Sequence, residues 1–214
     1  MARLGRVTPK LGAVGSILLV CTGNLCRSPL AESFLRRALA ERFGDEAPTI
    51  SSAGTMAVVE APATHEGVMV AAEHGLDTSG HAARLLEPPL LRDADLILGL
   101  AAEHRERIVA VDPAARARTF TMKELVRILE ELPPAPAGAG PSSLVGRIAA
   151  ADERRRRDGG DPSFDEDVVD PIGHPMETYR AVAWELAALC DRLTDGLFGP
   201  RNDEVRGEDR TATA

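Results

Sequence analysis

The feature that most constrains this chain is a strand that ends on a cysteine-bearing loop and turns at once into a helix. Ser16-Ile-Leu-Leu-Val20 is short, apolar after its serine, and fit for a buried strand. Cys21-Thr-Gly-Asn-Leu-Cys-Arg-Ser28 follows, and Pro29 opens an amphipathic stretch to about residue 43. That stretch sets Leu30, Phe34, Leu35 and Ala38 on one face, with Leu39 at its edge. The pattern then repeats. A short strand is predicted near Thr49–Ala53, then a helix carrying Val68, Val70, Ala71 and Ala72 that stops at Gly75. Asp95–Leu100 reads as a third strand and about 102–110 as its helix. Ala117–Thr121 reads as a fourth strand, with a helix over about 122–131. A last helix, Pro175–Leu193, carries Tyr179, Val182, Leu186 and Leu189. Strands alternating with helices predict a single α/β domain: a four-stranded parallel sheet with helices on both faces. Ligands of such sheets sit outside the carboxyl ends of the strands, which directs attention to the loop after the first strand.

Within that loop each residue type has a physical use. A loop feeding a helix N-terminus turns backbone N–H groups toward one centre, where a tetrahedral dianion binds. Gly23 lets the backbone curl close to such a ligand, and Asn24 tolerates a left-handed conformation. Arg27 offers two parallel hydrogen bonds to phosphate oxygens, and Pro29 fits a first helical turn, where its missing N–H costs nothing. The same positive field is expected to make Cys21 a thiolate, with Ser28 donating to its sulfur. A thiolate in an oxyanion cradle is a nucleophile aimed at phosphorus.

Composition narrows the setting. The chain has 214 residues, 44% hydrophobic and 27% charged, enough for a buried core. A formal charge of -8 argues against nucleic-acid binding. Arg3, Arg6 and Lys10 ahead of Leu11–Val20 imitate a signal peptide, but the run is short and no small-residue cleavage site follows. No stretch is long enough to cross a membrane. Cys21, Cys26 and Cys190 are odd in number, which points to a reducing, cytoplasmic compartment and away from a disulfide framework. Leu132–Pro141 is a Pro/Gly linker, 142–152 a short helix, and Arg154–Arg157 a solvated helix end. The predicted domain spans 14–197, with 132–164 as a longer linker or insertion and 198–214 as a disordered tail.

Cys21–Pro29 resembles the nucleophile loop of the low-molecular-weight protein-tyrosine phosphatases. Further matches follow in family order: Ser52-Ala-Gly-Thr55, Gly75–Arg84 with His81, Ala94–Leu98 through His104, and Lys123-Glu-Leu125. The likeness spans roughly 14–126 and 165–195, and 132–164 looks longer than is usual there. The resemblance implies a phosphomonoester hydrolase working through a phosphocysteine on Cys21, without metal or cofactor. Phosphate would be held by Thr22, Gly23, Asn24, Leu25, Cys26, Arg27 and Ser28. Asn24, Ser52 and His81 would form the network that supports the loop. It also implies a phosphorylated protein or small phosphomonoester as substrate, and a cognate tyrosine kinase as the opposing enzyme.

The reaction needs a proton donor for the leaving oxygen. The family supplies an Asp-Pro ahead of the last helix, and here Asp161-Pro162 and Asp170-Pro171 compete, Asp112-Pro113 lying too early. Asp170 fits by position, in Glu166-Asp-Val-Val-Asp170-Pro-Ile-Gly173, whereas Asp161 sits in a generic Gly-Gly-Asp-Pro turn. Asp161, Asp165, Glu166, Asp167 and Asp170 cluster in sequence, but their spacing matches no standard metal loop. Ile172 stands where the family commonly has an aromatic, and Met56–Glu60 lacks the aromatic that faces it. Apolar walls from Leu25, Met56 and Ile172 therefore replace an aromatic slot. Protein arginine phosphatases resemble this loop but carry Thr where Leu25 stands, which favours a phosphoester. A thiol-coupled arsenate reductase would need relay cysteines near 82–92, where there are none. A non-catalytic phosphate-binding domain is the alternative of another class. Cys26, near the nucleophile, could trap oxidised Cys21 as a disulfide, or serve only as a small core residue.

Overall fold

A computed structural model describes residues 15–136, 139–159 and 166–200. Four strands, β1 (Ser16–Cys21), β2 (Thr49–Gly54), β3 (Leu96–Gly99) and β4 (Thr119–Thr121), form one sheet in the order β2-β1-β3-β4. Every pairing is parallel. The chain leaves β1 for one neighbour, β2, and later returns to its other neighbour, β3. The strand order therefore reverses beside β1, and the crevice beyond the ends of β1 and β3 is the place where such sheets bind ligands. Cys21 is the last residue of β1, paired with Gly54, while Val20 pairs with Gly99.

Seven α-helices surround the sheet among the described residues: α1 (Arg27–Phe43), α2 (His65–Glu73), α3 (Pro88–Asp93), α4 (Ala102–Val111), α5 (Met122–Glu131), α6 (Leu144–Arg157) and α7 (Met176–Phe198). Side chains alternate across the strands and feed two cores. Ile17, Leu19, Leu96, Leu98 and Phe120 face the larger core with α1, α5, α6 and α7. Leu18, Val20 and Ile97 face the smaller one with Leu91 of α3 and Ile108 of α4. The apolar face read for α1 is the buried one, Leu30, Phe34, Leu35, Ala38 and Leu39 all being in the interior.

Several boundaries differ from the sequence reading. The first helix begins at Arg27, so the arginine belongs to the helix and Pro29 is still within its first turn. Only Thr119–Thr121 of the fourth strand is extended, because Pro113–Arg118 coils as a 3₁₀ helix. A short helix at Pro88–Asp93 was not anticipated, and the last helix continues to buried Phe198. The stretch read as linker or insertion holds α6, whose Leu144, Ile148 and Ala151 join the main core. The arginine run is only partly solvated. Arg157 pairs with Glu153 on the surface, but Arg155 lies 4.1 Å over the Phe120 ring, donates to the Thr119 carbonyl and pairs with Asp152. The polar tail beyond Pro200 lies outside the described residues. Among the described residues no helix is long and apolar enough to cross a membrane.

Candidate active site

Asn24 organises the loop. It is fully buried and takes the left-handed conformation, φ 55°, that its side chain tolerates. Its backbone N–H donates to Cys21 Sγ at 3.3 Å. Its amide nitrogen donates to Ser28 Oγ at 2.9 Å and to Ser52 Oγ at 2.8 Å, and its amide oxygen accepts from the Arg84 N–H at 2.8 Å. Its carbonyl accepts from His81 Nε2 at 2.7 Å, which fixes the proton of that imidazole on Nε2, since a carbonyl only accepts. Ser28 Oγ stands 3.0 Å from Cys21 Sγ. Because Ser28 already accepts from Asn24, its own proton is left to point at the sulfur. Two donors therefore converge on Cys21.

A second layer braces these contacts. Ser52 Oγ donates to Glu32, whose other oxygen holds Arg36, and the Arg84 guanidinium grips the Ser52 carbonyl at 3.1 and 2.7 Å. Beneath the loop lies Gly54. A Cβ there would meet the Thr22 carbonyl oxygen at 2.6 Å and the Asn24 nitrogen at 2.8 Å. Gly54 is thus required for the loop to lie across the sheet, while a Cβ on Gly23 would touch only the Leu25 side chain among protein atoms, at 3.4 Å. Gly54→Ala should displace Thr22 and Asn24 and lower kcat/KM on an aryl phosphate by about 10²-fold, the usual scale for misplaced catalytic groups. A near-normal rate in that folded variant would show the loop to be more forgiving than the contact implies.

Arg27 and Asp170 meet above the sulfur's loop. Arg27 is buried at the head of α1. One of its terminal nitrogens donates to the Val168 carbonyl at 3.1 Å; the other donates to Asp170 Oδ2 at 2.6 Å and reaches Thr22 Oγ1 at 3.4 Å. Asp170 Oδ1 accepts from the Ile172 N–H at 3.2 Å, so the Asp-Pro turn is closed by the same carboxylate. The Val168 N–H donates to the Leu100 carbonyl at 2.8 Å, stitching this loop to the end of β3. The neighbouring acids diverge: Asp167 accepts from the Ala102 N–H at 2.7 Å, and Glu166 pairs with Arg105 at 3.1 Å. Asp161 and Asp165 lie outside the described residues.

Two further groups face this centre. His104, in the first turn of α4, is buried with Nε2 3.0 Å from Thr22 Oγ1. Burial, then the charge of Arg27, bring its pKa down to about 4 against the opposing pull of Glu103, Asp167 and Asp170. The imidazole is accordingly neutral at neutral pH, and its 3.4 Å contact with Glu103 is not an ion pair. Cys26 precedes α1, and burial pushes its thiol up to about 12, a hydrogen bond from Thr64 opposing the shift only in part. Cys21 and Cys26 are both free thiols. A protonated Cys26 is a slow attacking sulfur, which would make any disulfide trap with Cys21 slow to close.

The rim is aliphatic. Leu25 is half-buried, while Met56, Val58, Val59 and Ile172 are exposed. Met56 is tied to the loop by its N–H to the Thr22 carbonyl at 2.9 Å. The sequence-identified residues Cys21, Thr22, Asn24, Arg27, Ser28, Ser52, His81 and Asp170 thus share one contiguous site. Glu32, Gly54, Arg84, Val168 and His104 belong to it too, although none was assigned a role from sequence. Gly54, Arg84, Val168 and His104 fell inside matched segments, which was the one available signal.

The family model described as low molecular weight phosphotyrosine protein phosphatase matches residues 16–132. The chain is 41% identical over 105 residues to the low molecular weight protein-tyrosine-phosphatase Etp of Escherichia coli K12, covering 49% of this chain and 67% of that protein. It is 30% identical over 181 residues to a protein-arginine-phosphatase of Geobacillus stearothermophilus, covering 85% and 95% respectively. Among solved structures, a low molecular weight protein tyrosine phosphatase from T. tengcongensis superposes with a TM-score of 0.64 at 32% identity, over 86% of this chain and 99% of that one. The YwlE arginine phosphatase from G. stearothermophilus gives 0.62 at 27% identity, over 94% and 98%.

Proposed function

The chain belongs to the low molecular weight phosphotyrosine protein phosphatase family, a family of cysteine-dependent phosphatases, and we propose that it hydrolyses phosphomonoesters on protein substrates through a phosphocysteine at Cys21. The observation that carries this reading is the convergence of the Ser28 hydroxyl and the Asn24 N–H on the Cys21 sulfur, beside an arginine already paired with the candidate acid. In the first step Cys21 Sγ attacks phosphorus, an S–P bond forms, and the P–O bond to the leaving group breaks. Asp170 gives its proton to the departing oxygen. Arg27 and the loop N–H groups hold the non-bridging oxygens, stabilising the charge that builds there. In the second step water attacks phosphorus and passes a proton to Asp170. The S–P bond then breaks, and the sulfur returns to its two donors with phosphate released.

The aliphatic rim and Leu25 support a phosphoester on a flat apolar side chain, gripped less selectively than by an aromatic slot. Phosphoarginine is the second reading, favoured by the length of the match to the arginine phosphatase. Arsenate reduction fits poorly, because Cys190 is buried in α7 and burial raises its thiol well above the ordinary range. The odd number of cysteines, three in 214 residues, supports a reducing, cytoplasmic setting, with a tyrosine kinase as the opposing activity. The test is a steady-state comparison of phosphotyrosine, phosphoserine and phosphoarginine peptides, with arsenate alongside. Phosphotyrosine should give the highest kcat/KM. Preference for phosphoarginine would replace the substrate assignment, and failure to turn over any of the three would remove the phosphatase reading.

A further inference from the structure

We infer that His104 is a positioning residue for the phosphate clamp, fixing the Thr22 hydroxyl, which in turn fixes the outer edge of the Arg27 guanidinium. The inference rests on the phosphatase reading above and deepens it. Arg27 can only donate, so where its nitrogen approaches Thr22 Oγ1 at 3.4 Å the hydroxyl must accept. His104 Nε2 at 3.0 Å is the nearer of the two remaining partners of that oxygen, the other being Glu103 Oε1 at 3.4 Å. In either neutral tautomer the imidazole engages the hydroxyl, as acceptor or as donor, and so holds its rotamer.

Packing does not account for a histidine here. His104 is 1% exposed, and its Nδ1 has no hydrogen-bond partner among the described residues. A buried polar atom left unpaired works against folding, and an apolar side chain of similar volume would avoid that cost. What an imidazole adds over such a side chain is its other nitrogen, on Thr22. The histidine is also tightly placed. Its N–H donates to the Ala101 carbonyl at 3.1 Å, and Asp167 holds the adjacent Ala102 N–H at 2.7 Å. Gly99 permits the approach, since a Cβ there would stand 3.1 Å from that of His104.

Arg27 needs a support of this kind because its strongest partner is also the proposed proton donor. Asp170 holds the guanidinium at 2.6 Å, but a carboxyl that carries the proton for the leaving group is neutral and holds an arginine weakly. Val168 fixes one nitrogen throughout. Thr22, backed by His104, fixes the other while Asp170 is engaged with the substrate.

The experiment compares His104→Leu, His104→Gln, Thr22→Val and the Leu/Val double variant. Inorganic phosphate affinity is measured by calorimetry, kcat/KM on an aryl phosphate by assay, and folding by circular dichroism. His104→Leu should lose about 10–10²-fold in both phosphate affinity and kcat/KM. Glutamine, which keeps a polar group near the position of Nε2, should recover most of the loss. Thr22→Val should cost a similar factor and the double variant no more than either single change, the signature of residues acting as one unit. Wild-type phosphate affinity in His104→Leu, additive losses, or glutamine no better than leucine would overturn the inference. Should the leucine variant fail to fold, Thr22→Val decides alone, and unchanged phosphate affinity there overturns it. A wild-type protein that binds phosphate but turns over no phosphomonoester would defeat the phosphatase reading, while the affinity measurements would still decide the role of His104.

Discussion

Cys21→Ser should abolish turnover of an aryl phosphate while leaving inorganic phosphate binding measurable. The two properties separate because different atoms supply them. In the proposed mechanism binding comes from Arg27 and the loop N–H groups, and the loop is shaped by Asn24, whose four links to Ser28, Ser52, His81 and Arg84 do not involve the sulfur. Chemistry needs the sulfur twice, as nucleophile in the first step and as leaving group in the second. A serine hydroxyl stays protonated at neutral pH and departs poorly from phosphorus. Loss of a nucleophile acting with its partners costs about 10⁶-fold in kcat in a well-studied hydrolase, so an effect beyond ordinary detection is expected here. Steady-state assay and calorimetry on the same preparation read the two arms. Substantial residual turnover would remove the phosphocysteine, and loss of phosphate binding with turnover would mean only that the serine disturbs the loop.

How far the site could be read from sequence depended on whether a residue's reason lies near it in the chain. The loop was legible because its parts are local: a buried strand before it, a helix after it, and Cys21, Asn24, Arg27 and Ser28 within one turn of chain. The left-handed backbone at Asn24 followed from its side chain alone. Ser52 and His81 were reached only through the family likeness, since nothing around a serine in a strand or a histidine in a loop says what it touches. Gly54 fell inside the matched segment Ser52–Thr55, but the constraint on it was illegible for a related reason. It looks like the end of a strand, but the constraint on it comes from Thr22 and Asn24, lying across its surface from an earlier part of the chain. The same holds for Glu32, an acidic residue in a helix until Ser52 is brought beside it. Elsewhere charge and composition concealed packing. Arg155 reads as one of four solvated arginines, yet its stem and guanidinium cover Phe120. The Pro/Gly stretch before α6 reads as linker and hides the fact that three small or aliphatic side chains of that helix complete the core.

Asp170→Asn should produce a second large loss, one whose size depends on the leaving group. Asparagine keeps one oxygen, which can accept from Arg27 in place of Oδ2 or from the Ile172 N–H in place of Oδ1, so one of the two contacts should persist and the other be lost. It also removes the proton. Phenolates and alkoxides of high pKa depart slowly unless protonated as the P–O bond breaks, so an unactivated phenyl phosphate should slow by about 10²–10⁴-fold, the range of general acid catalysis. A nitrophenyl phosphate, whose leaving group is already a stable anion, should be hurt less in its first step. A plot of log kcat/KM against leaving-group pKa should therefore be steeper for the variant than for the wild type. Asp161→Asn provides the contrast, as the other Asp-Pro late in the chain, and should leave the slope unchanged. The arrangement of the acids favours this outcome: Glu166 pairs with Arg105 and Asp167 with the head of α4, while Asp170 pairs with Arg27, the proposed phosphate-binding arginine. If the Asp161 variant acquires the steep slope and the Asp170 variant does not, the proton comes from the other turn, and the Arg27–Asp170 pair serves only to hold the arginine.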